Sequence, residues 1–259
     1  MAILVDEPRW PHRGELWCHL VSDFSFDELH RFVQLIGVPR VAFQGDHYDL
    51  PPAARQAAIV NGAVPVSSRE VVRALTRSGL RRGPAIGRQG LAGVAHLPAP
   101  ELSAGTALLR QWQLTDLTVF PQLRDEINAD AVLLALRGFG RWAVSDVASG
   151  RVIGRIGLTG VDARLAFAPK LQLHIERLES LESLESLESH VLHHPVKDYD
   201  NKGGDGSGAP PTEESDRTAW EAVAAEAEES VLQYAAAVLQ VRSVARFNSS
   251  IRQWHHISL

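Results

Sequence analysis

The chain of 259 residues has a single cysteine, Cys18, so no disulfide can form within it. A protein without disulfides is typical of a reducing compartment, and we expect a cytoplasmic location. No stretch approaches the roughly 18 consecutive apolar residues of a membrane-spanning helix, which predicts that the protein has no membrane partner. The first residues, Met1–Asp6, lack the positive segment and the long apolar run of a secretory signal peptide.

An excess of positive charge is also missing. Lys and Arg number 26 against 31 Asp and Glu, a formal charge of −5, so the composition as a whole does not indicate nucleic-acid binding. A local nucleic-acid site stays open. Apolar residues make up 45% of the chain, which is enough for a core, and the length suits one large or two ordinary domains.

Three short apolar runs alternate with helical patterns in the first 80 or so residues. The runs are Ala2–Val5, Val38–Phe43 and Ala63–Val66. Ser25 and Ser67 each precede a glutamate by three residues, which is the spacing of a helix-capping box, and Gly37 occupies a helix-ending position. Strands that alternate with helices predict right-handed crossovers. We therefore predict a small three-layer α/β domain with a parallel sheet at residues 1–82.

Each predicted strand ends in polar residues, and ligands bind at the carboxyl ends of strands in open parallel sheets. The candidate site residues are Asp6, Asp46, His47, Asp49 and Ser67. Because hard cations prefer oxygen ligands, Asp6, Asp46 and Asp49 could hold Mg²⁺ or Mn²⁺, with His47 or Ser67 contacting the substrate. Such an ion could orient water against a phosphodiester. The alternative is that these aspartates only cap a loop and shape the following turn.

Three further patterns could carry a function, but a structural interpretation is favoured for each. Cys18 and His19 lie in a predicted loop from Trp10 to Leu20, and on a strand such neighbours would point to opposite faces, so a half-buried cysteine is favoured over a thiol nucleophile. An arginine row that could bind phosphate, or simply face solvent, lies at Arg69, Arg73, Arg77 and Arg81. Histidines that could chelate a transition metal, or simply be exposed, are His190, His193 and His194.

Several segments of the first domain together resemble a known family. They are Met1–Asp6, Pro8–Trp10, Trp17–Asp23, Asp27–His30, Asp46–Asp49 and Gly62–Arg69. With them, residues 1–82 resemble an actinobacterial family of domains of unknown function, number 4031, which implies no activity. An aspartate at the end of the first strand, with further acids at later strand ends, also looks like PIN-like nuclease domains. That likeness implies metal-dependent processing of phosphoesters.

The second half of the chain carries segments that look like the strands and helices of an enzyme family. They are Leu108–Leu117, Gly140–Asp146, Ser149–Leu158, Trp220–Leu239 and Val244–Asn248. With them, residues 106–160 and 218–251 resemble the GNAT acyltransferases, which transfer an acetyl group from acetyl-CoA to an amine. The resemblance implies an α+β fold, acetyl-CoA as cofactor, an amine or other small molecule as substrate, and Asn248 as a cofactor-binding residue.

This second half departs from the family at two places. The glycines that let backbone N–H groups approach the CoA pyrophosphate are missing from the matching stretch, Arg217–Ala225. Four Leu-Glu-Ser repeats and a Gly- and Pro-rich stretch predict a disordered insert at about 176–217. We thus predict a linker at 83–105, rich in Arg, Gly, Pro and Ala, and an interrupted GNAT-like domain at 106–259.

Two functional hypotheses follow, and the sequence leaves open whether the chain is an enzyme. The first is an acetyl-CoA-dependent N-acyltransferase fused to a small α/β domain, with its activity retained or lost. The second is metal-dependent processing of phosphoesters or nucleic acid, or ligand binding, by the first domain, with a non-catalytic second domain.

Overall fold

A computed structural model describes residues 1–12, 14–82, 84–161, 170–178, 213–248 and 253–259. The architecture is mixed α/β, with one sheet of five strands, one of seven, and helices packed against both, which confirms the predicted class. We refer to residues 1–82 as the first unit and to residues 84–259 as the second unit.

The strands are β1 (Ile3–Val5), β2 (Trp10–His12), β3 (Glu15–Ser22), β4 (Tyr48–Leu50), β5 (Val64–Pro65), β6 (Leu102–Ala104), β7 (Ala107–Arg110), β8 (Arg141–Asp146), β9 (Val152–Val161), β10 (Lys170–Arg177), β11 (Ser243–Asn248) and β12 (Gln253–Ser258). The helices are α1 (Phe26–Leu35), α2 (Pro52–Val60), α3 (Ser68–Arg77), α4 (Pro84–Arg88), α5 (Gly90–Val94), α6 (Asp116–Val119), α7 (Arg124–Arg137) and α8 (Glu213–Ala237), with 3-10 turns at Arg40–Ala42 and Pro121–Leu123.

The first unit has three layers, as predicted. On one face of its sheet the side chains of β1 and β3 pack with Leu29 and Val33 of α1 and Ala58 of α2. On the other face Leu4 and Val21 pack against α3. The alternation of side chains along a strand produces both contacts, because successive residues point to opposite faces.

The helix boundaries of this unit follow the capping signals. The hydroxyl of Ser25 accepts a hydrogen bond from the N–H of Glu28, and that of Ser67 accepts one from the N–H of Glu70. Gly37 follows α1 with a φ of +71°, a left-handed conformation that glycine adopts without steric cost. Both capping predictions are confirmed.

The predicted parallel sheet is wrong for most strand pairs. Among the described strands of the first unit, only β1 and β5 run parallel, while β3 pairs antiparallel with β1, β2 and β4. The predicted second strand, Val38–Phe43, is instead a 3-10 turn flanked by buried ends. Apolar runs of this length do not distinguish a strand from another buried segment, and Pro39 removes a backbone donor that a central strand would need.

The segment from Trp10 to Leu20, predicted as a loop, instead contains β2 and most of β3. Together with β1 these strands form a bulged hairpin. From Val5 to Trp10 the chain advances five residues, whereas their partners on β3, Leu20 and Trp17, are only three apart. The two extra residues form a bulge around Pro8, which has no N–H to offer to a strand ladder. The N–H of Asp6 still donates to the carbonyl of His19, so the bulge leaves Asp6 beside β3.

The second unit is built around the seven-stranded sheet, whose order is β12-β11-β10-β9-β8-β7-β6. β8 and β9 form an antiparallel hairpin, with Gly150 in a left-handed conformation at its turn. The β10 and β11 strands pair in parallel, and α8 lies between them in the chain. Ala227, Val231 and other apolar side chains of α8 pack into the core against this sheet.

The segment with linker composition is part of the second unit. Leu91, Val94 and Leu97 are buried in the core that includes Trp142, and the carbonyl of Pro100 accepts a hydrogen bond from the indole N–H of that tryptophan. Glycines and prolines end helices and strands, which is why the composition of this segment predicted a linker. They do not prevent the leucines between them from being buried. The predicted insert lies mostly outside the described residues, because its positions 179–212 are among those left undescribed.

Backbone hydrogen bonds join the two units. The N–H of Val41 donates to the carbonyl of Leu239, and the N–H of Arg40 donates to the side-chain carbonyl of Gln240. Val41 itself lies in the core of the second unit. Among the described helices, none combines the length and the apolar character needed to cross a lipid bilayer.

The burial of His30 predicts that the free energy of unfolding decreases in acid. Burial, with a smaller contribution from the charge of Arg40, lowers the pKa of His30 to about 3, and its Nδ1 lies 2.9 Å from the Tyr48 hydroxyl. Below pH 6.5 the unfolded chain binds a proton that the folded protein does not, so stability is lost as the pH falls from 6.5 towards 3. We expect this group to remove about 3 kcal/mol between pH 7 and pH 4.

Urea unfolding of the wild type and of His30→Gln at both pH values measures this effect. The variant keeps a polar partner for Tyr48 but loses the titration, so its stability should fall less over the interval. His96→Gln, at an exposed site, is the matched control. Equal pH slopes for wild type and His30→Gln would contradict the prediction.

Candidate metal centre

Two imidazoles and one carboxylate converge at one edge of the first unit. His19, His47 and Asp49 each offer one ligand atom, and these atoms lie within 4.8 Å of one another. The Nε2 atoms of His47 and His19 are 3.3 Å and 3.7 Å from the same Asp49 oxygen, Oδ1. The two rings are nearly perpendicular, with centroids 5.0 Å apart. All three groups therefore face a common point from different directions.

Strand pairing brings two of these residues together. His19 on β3 and Asp49 on β4 are direct partners in the antiparallel ladder, so their side chains leave the same face of the sheet. His47 comes from the turn before β4, where Gly45 has a φ of +106° and the N–H of Gln44 donates to the carbonyl of His47. The left-handed glycine permits this tight reversal and turns His47 back towards the strand pair.

The carboxylate of Asp6 holds the His19 side of the cluster. Asp6 is fully buried, and its Oδ1 accepts the backbone N–H of His19 at 2.6 Å. Its Oδ2 lies 3.1 Å from His19 Nδ1 and accepts the Ser68 hydroxyl at 2.7 Å. The bulge after β1 makes this possible, because it places Asp6 beside β3 at the height of His19.

Asp46 holds the His47 side in the same way. Its Oδ1 lies 2.6 Å from His47 Nδ1, and its Oδ2 accepts the backbone N–H of Arg82 at 2.8 Å and the Arg81 guanidinium at 3.2 Å. Asp46 is 2% exposed, so a buried charge is compensated by three donors. Each imidazole thus has a buried carboxylate behind its Nδ1 atom.

A carboxylate at Nδ1 sets the chemistry of the opposite nitrogen. When Nδ1–H donates to the carboxylate, Nε2 keeps a free lone pair, which is the arrangement found behind metal-binding histidines. The indole nitrogen of Trp10 also lies 3.1 Å from His19 Nδ1, and Nδ1 cannot donate and accept at once. The ionised carboxylate of Asp6 is the stronger partner, so we assign the proton to Nδ1.

Hydrogen bonds keep the acids of the cluster ionised. Burial alone would raise the pKa values of Asp6 and Asp46, but bonds from His19 and Ser68, and from His47 and Arg82, hold both below the usual value. The pKa of Asp49 is also lowered, against its burial, by His47. Burial opposes protonation of His47, yet its bonds to Asp46 and Asp49 raise its pKa to about 9.

The cluster is open to solvent on one side. Asp49 is 40% exposed, and the imidazoles of His19 and His47 are 25% and 23% exposed, whereas Asp6 and Asp46 are closed off. The Trp10 ring lies at the rim, 51% exposed, with its centroid 5.3 Å from that of His19. Three ligands facing an opening leave room for water or substrate on a bound ion.

The structure brings together four of the five residues proposed from the sequence. Asp6, Asp46, His47 and Asp49 lie together, but only His47 and Asp49 belong to the cluster, while Asp6 and Asp46 point at its imidazoles. Ser67 is not brought to the site, because its hydroxyl caps α3, and the hydroxyl on Asp6 belongs to the next residue.

His19 was not among the residues proposed from the sequence. Its alternation with buried Cys18 already placed it on the opposite face of a strand, but its pairing with Asp49 depends on the antiparallel register of β3 and β4. Asn248 ends β11, and its side chain lies outside the described residues, as do His190, His193 and His194.

Comparison with known families supports the resemblance of the first unit. Residues 3–78 match a family described as "Protein of unknown function (DUF4031)". The match spans β1 to α3 and includes every residue of the cluster and both carboxylates behind it. No curated protein matches the chain. The family description assigns no activity. The first unit is therefore similar to a family of domains of unknown function, and its own fold is α/β.

The geometry predicts that a first-row transition ion stabilises the protein. Zn²⁺ at about 100 times its Kd should add about 2.7 kcal/mol, or about 5–10 °C in Tm, because it binds only the folded state. His19→Ala, His47→Ala and Asp49→Ala should each abolish the shift in differential scanning fluorimetry. Asp6→Asn and Asp46→Asn should weaken affinity about 10- to 100-fold, because the amide can donate to Nδ1 and stabilise the wrong tautomer.

Ser67→Ala provides the matched control. It removes a helix cap and should lower the free energy of unfolding by about 1 kcal/mol while leaving the zinc-induced shift unchanged. A full shift in all three ligand variants would show that zinc binds elsewhere.

Proposed function

We propose that the first unit is a metal-dependent hydrolase of phosphoesters. The observation that carries the proposal is the convergence of His19 Nε2, His47 Nε2 and Asp49 Oδ1, with a buried carboxylate behind each imidazole. Isolated surface histidines do not need buried carboxylates behind them, and burying those two charges is costly unless each is compensated. The arrangement suits a site that must hold its ligands in one orientation.

The donor set favours a borderline transition ion. Two imidazole nitrogens and one carboxylate oxygen form the three-ligand set of several catalytic zinc sites, which keep a further position for water or substrate. The expectation of Mg²⁺ or Mn²⁺ rested on three carboxylates. With two nitrogens in the set, Zn²⁺ is favoured over Mn²⁺ by the usual order of affinities, and Mg²⁺ is the least suited.

A bound ion of this type lowers the pKa of a coordinated water towards about 7 and so supplies a nucleophile at neutral pH. The protein's part is to hold the ligands. Asp6 and Asp46 would accept from Nδ1 of His19 and His47 and so leave Nε2 as the nitrogen that binds the ion. The side open to solvent at Asp49 admits the substrate.

Arg55 supports a phosphate-bearing substrate. Its Nε donates to the backbone carbonyl of Asp6 at 2.8 Å, which ties the guanidinium to the residue that lies behind His19. Among the described residues, its two terminal nitrogens form no hydrogen bond or ion pair. A planar guanidinium with two free donor groups matches two phosphate oxygens.

Hydrolysis of bis(p-nitrophenyl) phosphate by the full chain tests the proposal. We expect turnover that requires Zn²⁺ or Mn²⁺, disappears with a chelator, and falls at least about 100-fold in His47→Ala, because its metal is lost. Arg55→Ala should raise KM with a smaller change in kcat, because it removes phosphate binding more than metal binding.

Arg31→Ala is the matched control, since Arg31 is an exposed arginine of α1 whose Nε donates to the carbonyl of Asp27 in its own helix. Metal binding without any metal-dependent hydrolysis of phosphoesters would reject the hydrolase and leave a metal-binding domain.

We propose acyl transfer by the second unit as a second candidate. It is supported by the β10 strand, which occupies the place where the GNAT resemblance requires a central strand and pairs in parallel with β11. The α8 helix connects the two, as the helix after the pyrophosphate loop does in that family. The missing glycines at Arg217–Ala225 weigh against tight binding of acetyl-CoA.

Calorimetric titration of acetyl-CoA into the full chain tests this candidate. We expect saturable binding that is weaker than in glycine-containing relatives, because fewer backbone N–H groups reach the pyrophosphate. Free CoA, which keeps the pyrophosphate, should bind similarly, and acetate alone should not bind. No heat at millimolar acetyl-CoA would reject an acyltransferase.

A further inference from the structure

The segment that carries His47 and Asp49 is fastened to the second unit. The guanidinium of Arg137, at the end of α7, donates from Nε to the carbonyl of Phe43 at 3.0 Å and from Nη2 to the carbonyl of Val41 at 3.4 Å. Phe43 in turn bridges to Tyr48, on the far side of the turn that contains His47. One side chain of the second unit therefore holds the base of this turn.

Arg137 is itself held in place. Its backbone carbonyl accepts a hydrogen bond from Nη1 of Arg40, and its guanidinium lies 4.9 Å from the centre of the Phe139 ring. Arg40 is tied through its own N–H to Gln240 of the second unit. The Arg40 bond fixes the backbone of Arg137 and the Phe139 ring restricts its side chain, so its two donors are preorganised for the carbonyls of the first unit.

The turn also packs directly on α7. A Cβ placed on Gly45 would lie 3.4 Å from the Cβ of Leu136, the residue before Arg137. Gly45 is the left-handed residue that reverses the chain towards His47. The turn is thus shaped by its own glycine and pressed against a helix of the second unit.

We propose that Arg137 is a positioning residue of the metal centre, through which the second unit sets the affinity of His19, His47 and Asp49 for metal. This proposal rests on the proposed metal-dependent function of the same site. Arg137 touches none of the three ligands, but its charge acts on Asp49, and it holds the turn of His47 through Phe43. Metal affinity depends on ligand placement, because distances must match within about 0.2 Å. A turn released from Arg137 samples other positions, and His47 is then placed correctly for only part of the time.

The experiment compares Arg137→Ala and Arg137→Lys with the wild type in the full chain, with Arg124→Ala at the opposite, exposed end of α7 as the control. The first measurement is the position of the imidazole ¹H–¹⁵N NMR signals of His19 and His47 in metal-free protein. The second is the Kd for Co²⁺, read from its visible absorption. Lysine keeps the charge but loses the fork that reaches two carbonyls.

We expect His47 signals to shift in both Arg137 variants and His19 signals to stay, with Kd for Co²⁺ rising about tenfold in Arg137→Ala and less in Arg137→Lys. Signals and Kd equal to those of Arg124→Ala in a folded variant would overturn the proposal. If Arg137→Ala does not fold, Arg137→Lys decides by the same criteria. A wild type that binds no Co²⁺ would reject the metal centre, while the NMR comparison would still test whether Arg137 positions His47.

Discussion

The first unit depends on one buried carboxylate, that of Asp6, and on the need to compensate its charge. Asp6 has no exposure to solvent, yet it accepts hydrogen bonds from the backbone of His19 and from Ser68, and it faces the imidazole of His19. Burial without these donors would be strongly unfavourable. The bulged hairpin and the start of α3 are both arranged around this requirement, because they bring the donors to the same point.

The same constraint occurs at Asp46, a second buried acid whose charge must be compensated. Two buried acids each orient one histidine, and the two histidines meet a third acid, Asp49, that is accessible to solvent. Acids behind imidazoles are positioning groups, whereas the exposed acid is available to a ligand. Asp6 and Asp46 thus orient the histidines, whereas His19, His47 and Asp49 are the candidate metal ligands.

The two units are not independent in this architecture. Within the first unit the turn that carries His47 is held by the bridge of Phe43 to Tyr48, by the bond from Gln44 N–H to the His47 carbonyl and by the donors on Asp46. A helix of the second unit supplies further support. Loops near functional sites have low local stability when few buried contacts hold them. Fastening the turn to α7 supplies these contacts from a part of the chain about 90 residues away, as the pairing of Phe43 with Arg137 shows.

The sequence by itself determined the helix boundaries of the first unit, its three layers and most of the candidate site, because capping boxes, glycine positions and apolar spacing are local signals. Only the tertiary structure decided that β3 and β4 run antiparallel, and this register places His19 opposite Asp49. It also decided that Asp6 and Asp46 face imidazoles and that Ser67 serves only as a cap. Register and the direction of a side chain depend on contacts between distant segments, which no local pattern specifies.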